Sequence, residues 1–233
     1  MGTARILSTK KLLPNQKQFL LNAGLAVLEA DFITIHHKPF RLNDIRQNLI
    51  FTSQNAAHSF LQNEMAGDYK SHPVFCVGSK TRESIEKEGF TVKTSADYAE
   101  ELAKTIIKDY SGESFTFFSG SMRRDILPDA LADANIDFNE IGVYETALSP
   151  VKINASLNAL LFYSPSGVES FLKDNRIGEA VCFCIGTTTA AALEGTTENV
   201  VIANKPTVEN VIIQCIGYFV KTREEGTKPH EDI

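Results

Sequence analysis

Tryptophan is absent from this sequence, cysteine occurs only four times, and positive charge is in deficit: the formal net charge is −6. A nucleic-acid partner is not expected, because neutralising phosphates takes a strong basic excess. No apolar run approaches the roughly 18 residues of a spanning helix, so no membrane segment is expected. The start, MGTARILSTKK, lacks the long apolar stretch of a secretory signal. Cys76, Cys182 and Cys184 lie in the apolar runs VFCV and VCFCI. There cysteine serves as a small buried hydrophobe, and no further metal ligands stand near Cys182 and Cys184. The pattern fits a reducing, cytoplasmic setting.

Several chemical signatures are missing as well. No G-x-G-x-x-G follows a strand and no G-x-x-x-x-G-K-[ST] occurs, which removes dinucleotide and P-loop readings at the level of motif. No G-x-S-x-G elbow supports a serine hydrolase. His36 and His37 are adjacent in an extended segment, so they point to opposite faces and do not share one metal easily. Apolar residues at 43% and charged residues at 22% nevertheless predict a packed globular core rather than disorder.

What is present is a repeat. Phe51-Thr-Ser-Gln-Asn-Ala-Ala-His-Ser-Phe-Leu61 matches Phe162-Tyr-Ser-Pro-Ser-Gly-Val-Glu-Ser-Phe-Leu172 at five of eleven positions, 111 residues on. VFCVGSKT from Val74 matches CFCIGTTT from Cys182, with an offset of 108. The segment from Phe90 matches that from Val200 at 110, while Arg5–Ser8 against Thr116–Ser119, and Pro39 against Pro150, give 111. A near-constant offset over five landmarks reads as an internal duplication. Each copy uses one grammar: a short run such as LIF, VFCV, FTFF, LLFY or VCFCI, then Ser, Thr, Gly or Asn, then an amphipathic stretch. Helices are expected at 54–62, 81–88, 96–109, 124–134, 166–174, 188–194 and 206–221. Strand–loop–helix units of this length predict an α/β fold with parallel sheets covered by helices on both faces.

Two segments break the rhythm. Phe32–Phe40 and Phe138–Thr146 are extended and run on towards a proline. They read as strands that leave one lobe for the other, in which case one lobe is built from both chain ends and the other from the middle. The repeat alone does not decide between that and two tandem lobes.

In open α/β sheets, ligands bind outside the carboxyl ends of the strands. The loops there are Ser8-Thr9-Lys10, Thr52-Ser53-Gln54-Asn55, Gly78-Ser79-Lys80-Thr81, Lys93-Thr94-Ser95, Ser119-Gly120-Ser121, Ser164-Pro165-Ser166-Gly167, Gly186-Thr187-Thr188-Thr189 and Asn204-Lys205-Pro206-Thr207. Their N–H groups and helix ends suit anions, and Lys10, Lys11, Lys80, Arg82, Lys93, Arg123, Arg124 and Lys205 gather there. Solvated loop lysines are the plainer reading of any one of these. Tyr144, in the second crossing segment, has two readings: a phenol able to give a proton or a hydrogen bond, and a half-buried boundary tyrosine.

FTSQNA, VGSKTRESIEKEGF, FFSGSMRRDILPDAL, Val143-Tyr-Glu-Thr146, FYSPSGVESFL, IGTTTAAAL and Lys205-Pro206-Thr207 appear in series over residues 5–222. In this ordered set the chain resembles the uroporphyrinogen-III synthase family. Each motif alone is weak, and the order carries the resemblance. It implies two Rossmann-like or flavodoxin-like lobes joined by a two-stranded connector. Lobe 1 is expected at 1–36 and 149–225, lobe 2 at 40–144, and a disordered tail at 226–233.

The resemblance further implies a cyclising lyase of tetrapyrrole (haem) biosynthesis that acts on the linear polycarboxylate hydroxymethylbilane. Water is lost to give an azafulvene, and a spiro-pyrrolenine permits inversion of ring D; no metal or organic cofactor is implied. Tyr144 maps onto the family's usual acid, and Thr81, Thr188 and Thr189 map onto its loop threonines. The remaining loop residues expected to bind substrate are Ser53, Gly78, Ser79, Ser119, Gly120, Ser121, Ser164, Ser166, Gly167, Gly186, Thr187 and Lys205. Thr187 departs from the family's I-G-P-T-T-A loop by replacing its proline. A monomer is expected, with transient contact with the preceding pathway enzyme. Two competing classes are a non-catalytic two-lobed binder of a small anion and a pair of receiver-like modules. The receiver reading lacks acidic residues at the strand ends.

Overall fold

A computed structural model describes residues 3–225; the tail expected at 226–233 lies outside the described residues. The order along the chain is β1 (Arg5–Ser8), α1 (Pro14–Asn22), β2 (Ala26–Glu29), β3 (Ile33–His37), β4 (Asn48–Phe51), α2 (Gln54–Leu61), β5 (Val74–Val77), α3 (Ser79–Lys87), β6 (Val92–Ala96) and α4 (Ala99–Asp109). It continues with β7 (Ser114–Gly120), α5 (Ile126–Asp133), β8 (Asp137–Leu148), β9 (Ala159–Phe162), α6 (Pro165–Asp174), β10 (Val181–Cys184), α7 (Thr187–Ala191), β11 (Val200–Ile202) and α8 (Val208–Glu225). A 3₁₀ turn at Ala66–Tyr69 links α2 to β5.

The chain divides into two compact units, one of residues up to Thr34 and from Leu148 onward, the other Ile35–Ala147. The first unit holds a five-stranded sheet, β11-β10-β9-β1-β2, in which every pairing is parallel. The second holds a six-stranded sheet, β3-β8-β7-β4-β5-β6, parallel from β8 to β6. Lys38 N–H donates to Val143 C=O and Ser149 N–H to Phe32 C=O, so β3 and β8 run antiparallel as they carry the chain between the units. The α/β class with two parallel-dominated sheets is thus the one the strand–loop–helix grammar predicts.

Period-two alternation decides which core each strand residue enters. In the second unit Leu49, Phe51, Val74, Cys76 and Phe118 face α2 and α3, packing on Phe60 and Ile85. Ile50, Phe75, Phe115 and Phe117 face α4 and α5, packing on Leu102, Ile106 and Leu131. In the first unit Leu7, Leu160, Phe162, Cys182 and Cys184 pack on Val168 and Phe171 of α6, and Ile6, Leu161 and Phe183 on Leu20, Val211 and Cys215. All four cysteines are free and buried. Burial pushes the Cys76 thiol up to about 11 and each of the other three to about 12.

Helix boundaries shift locally. α4 begins three residues later than expected because Ala96 still pairs with Val77 at the end of β6. α5 begins at Ile126, since Arg123 and Asp125 are tied to each other in the loop before it. α7 ends three residues earlier than expected, and α1 and β2 form where no element is expected.

Candidate active site

Taken from β4, the strand order in the second unit is third, second, first, fourth, fifth. The order reverses between β4 and β7, and in open α/β sheets a crevice opens at that point outside the carboxyl ends. β4 leads into Thr52-Ser53, and β7 ends in Ser119-Gly120. Ser53 is the N-cap of α2: its backbone is extended, with φ −151° and ψ 151°, and its Oγ accepts the Ala56 N–H at 3.1 Å.

Tyr144 is delivered to this reversal by β8. The β7–β8 register holds from Ser114↔Asp137 to Ser119↔Gly142, then shifts so that Gly120 lies opposite Tyr144. The extra residue, Val143, is a bulge, a device that re-aims a side chain. As a result Val143 is buried in the α2/α3 core and Tyr144 packs on that same cluster, although neighbours on a regular strand face opposite ways. The ring lies directly on Gly120, where an added Cβ would stand 2.2 Å from Cζ and 2.5 Å from Cε2. Its hydroxyl reaches Ser53 Oγ at 3.1 Å. Ser121 fastens the adjoining backbone: its N–H donates to Tyr144 C=O and its Oγ accepts the Thr146 N–H, each at 3.1 Å.

Tyr144, Ser119, Gly120 and Ser121 line one cavity of about 350 Å³ together with Lys38, Arg123, Asp125, Glu140 and Gly142. Arg123 grips Glu140 through Nε and Nη2, the latter at 2.7 Å, and also donates to Asp125. Ser119 donates to Glu140 as well. Burial raises the Glu140 carboxyl, but the hydrogen bonds from Arg123 and Ser119 and the Arg123 charge outweigh it. They hold the group below the usual carboxylate range. Lys38 is paired with Glu145 at 2.8 Å. The cavity therefore offers a half-buried phenol, two buried small residues in Ser119 and Gly120, and cations already held by carboxylates.

The other expected residues are placed separately. Gly78 takes φ +87° at the start of α3, and the buried Thr81 lies behind it, with Oγ1 3.8 Å from where a Gly78 Cβ would stand. Ser79 lines a cavity of about 400 Å³ with Arg82, Ser95 and Asp97. In the first unit Ser164 caps α6, its Oγ accepting from Gly167 N–H at 3.0 Å and lying 3.1 Å from Ser166 Oγ. Gly186 and Thr189 are buried at the start of α7, and Thr188 is half-buried. The exposed Thr187 lines a cavity of about 370 Å³ with Glu194 and Glu198. Lys205 is exposed, its N–H bonded to Asn210 Oδ1 at 3.1 Å. The sequence expectations omit Glu140 and Lys38, and count Arg123 only as a loop cation. Strand alternation offered no signal for them, since the bulge at Val143 breaks the period between Gly142 and Tyr144. Among the described residues no group of three or more His, Cys, Asp or Glu is placed to hold a metal, and no helix is long and apolar enough to cross a membrane.

A family model described as uroporphyrinogen-III synthase HemD matches residues 17–213. A uroporphyrinogen-III synthase of Chlorobaculum parvum is 27% identical over 168 residues, covering 63% of this chain and 68% of that protein. Among solved structures, uroporphyrinogen-III synthetase of Helicobacter pylori 26695 superposes with a TM-score of 0.68 at 20% identity, over 93% of this chain and all of the other. A mutant uroporphyrinogen III synthase of the extremely thermophilic bacterium Thermus thermophilus gives 0.65 at 13% identity, over 94% of this chain and all of the other. At these identities the two structures speak for the fold.

Proposed function

The chain belongs to the uroporphyrinogen-III synthase family, and we propose that it closes hydroxymethylbilane to uroporphyrinogen III with Tyr144 as the acid that starts the reaction. Loss of the terminal hydroxyl needs a proton on a poor leaving group, and general acid catalysis by a positioned side chain is typically worth about 10²–10⁴. The observation that carries this reading is the seat of Tyr144: a phenol fixed on Gly120 at the strand-order reversal, in the lining of a polar cavity. The Ser-, Thr- and Gly-rich loops of each unit supply N–H groups and hydroxyls for the carboxylates of a small-molecule tetrapyrrole. Four buried free thiols fit a reducing cytosol. There the protein acts as a monomer with transient contact with the preceding enzyme of the pathway.

The test is isomer scoring. Freshly made hydroxymethylbilane forms the I isomer spontaneously, so the protein must direct it to the III isomer. Tyr144→Phe should cut turnover about tenfold or more while leaving the fold intact, since only the phenolic proton is lost. Accumulation of the I isomer alone with the wild-type protein overturns the activity; a near-normal Tyr144→Phe enzyme removes Tyr144 as the acid.

A further inference from the structure

Ser53 carries more than a cap. A serine hydroxyl has one proton and two lone pairs, and the Ala56 N–H occupies one lone pair at 3.1 Å. What faces Tyr144 Oη, also at 3.1 Å, is the remaining lone pair or the proton. If the phenol's proton points into the cavity for transfer, the proton on the Ser53–Tyr144 line is the serine's. The same geometry then favours the product of transfer. A phenolate oxygen accepting the Ser53 O–H makes a charge-assisted bond, roughly twice as strong as a neutral one, and α2 presents its positive end at that point.

We infer that Ser53 is a positioning residue for the reaction: it donates its proton to Tyr144 Oη, turns the phenol's own proton towards the substrate, and stabilises the phenolate left behind. This rests on Tyr144 being the acid. In the step, the Tyr144 O–H bond breaks and its proton joins the hydroxymethyl oxygen. The C–O bond then breaks with its electron pair leaving on oxygen as water, and the pyrrole nitrogen lone pair satisfies the vacated carbon as an azafulvenium. Closure of the ring replaces a carbon–hydrogen bond by a carbon–carbon bond, and the proton so released restores the phenol. The first unit shows what the cap does without this duty. Ser164 accepts from Gly167 N–H in the same way, but its hydroxyl neighbour is Ser166 Oγ at 3.1 Å.

A cap and a proton donor are separated by Ser53→Gly and Ser53→Thr in the full chain. Glycine begins a helix almost as well as serine but has no hydroxyl, while threonine keeps both. We expect Ser53→Gly to lower kcat about tenfold with KM within about twofold, Ser53→Thr to keep at least about half the turnover, and both to melt close to wild type. Should the glycine variant melt early, Ser53→Asp replaces it: aspartate caps the helix but brings no proton to the phenol, and it should be as slow. In a Tyr144→Phe background Ser53→Gly should cost nothing further, since the oxygen it serves is gone. A normal Tyr144→Phe enzyme sinks the acid and this inference together. A slow Tyr144→Phe enzyme beside a fast Ser53→Gly enzyme sinks this inference alone. So does a loss confined to KM, a threonine variant as slow as glycine, or full additivity in the double variant.

Discussion

Gly120→Ala probes the site through one methyl group. The backbone at Gly120 lies outside the left-handed region, so alanine is allowed there on conformational grounds. The obstacle is the ring of Tyr144. A Cβ would stand 2.2 Å from Cζ, 2.5 Å from Cε2 and 2.6 Å from Cε1, where carbon–carbon contacts settle near 3.5–4.0 Å, so the ring must retreat by roughly 1.5 Å. It cannot retreat inward, because Phe118, Val143 and their neighbours fill the core on which it packs. Nor does the strand yield readily, because Ser121 bonds the backbone at both Tyr144 and Thr146. The ring therefore swings outward and the 3.1 Å contact with Ser53 is lost.

Overpacking of this kind costs about 1–3 kcal/mol, and displacing a reacting group by about 1 Å costs on the order of 10² in rate. We therefore expect Gly120→Ala to lose about a hundredfold in kcat/KM for the III isomer and about 1–3 kcal/mol in urea denaturation. The control is the same substitution in a Tyr144→Ala background. With the ring gone the methyl meets an empty space, and its stability cost should fall to near zero. Wild-type activity and stability in Gly120→Ala, or an undiminished cost in the Tyr144→Ala background, would show that the phenol is not seated on Gly120.

Four further outcomes follow from single groups. Ser170 is fully buried in α6 and its hydroxyl has no partner among the described residues, so Ser170→Ala should leave stability unchanged or raise it by up to about 1 kcal/mol. Ser59, 111 residues earlier, donates to Asn55 C=O and meets His37 Nδ1 at 2.6 Å, so Ser59→Ala should lose about 1 kcal/mol in the same urea titration. Gly78→Ala should lose about 1–2 kcal/mol in thermal denaturation, because φ is +87° there even though a Cβ would make only an ordinary contact with Thr81 Oγ1 at 3.8 Å. The Glu140 carboxyl is held low, so its contribution to stability is present above its unfolded pKa of about 4.3 and is lost as pH falls through the lower folded value. The stability gap between wild type and Glu140→Gln should accordingly be constant near neutrality and close only under acid; a gap that grows on acidification contradicts this.

Strands with strong apolar runs, β4, β5, β7, β9 and β10, were legible because burial on both faces demands continuous hydrophobes. α1 was not, since its apolar residues sit together at Phe19, Leu20 and Leu21 instead of recurring at helical spacing. Tyr144 could be singled out by its place in a crossing strand, but its seat could not. That seat depends on a bulge at Val143, and a one-residue register shift has no composition signal. Glu140 escaped because an acidic residue in a strand next to an expected anion site looks misplaced until Arg123 is seen to grip it.

The sheet registers also correct one detail of the repeat and explain where the chemistry sits. Phe51 pairs with Cys76 and Phe162 with Cys184, so these matched positions are paired alike. Ser8, however, stands opposite Leu161, the place that Phe117 takes opposite Ile50. Ser8 is therefore level with Phe117, two residues short of Ser119, with which the sequence match aligned it. β7 runs on past the point where β1 stops, and its last two residues, Ser119 and Gly120, are the ones that meet Glu140 and Tyr144. The first unit has a tyrosine at its own reversal, between β9 and β1, but of a different kind. Ser8 Oγ donates to Lys10 C=O at 2.6 Å and also faces Tyr163 Oη at 3.3 Å. Burial pushes the Tyr163 phenol well above the usual tyrosine range. A phenol so buried holds its proton tightly and is a poor acid. Of the two reversals built on one strand order, the second unit's is the one where the strand overruns and ends on a residue without a side chain, and there the tyrosine ring is seated.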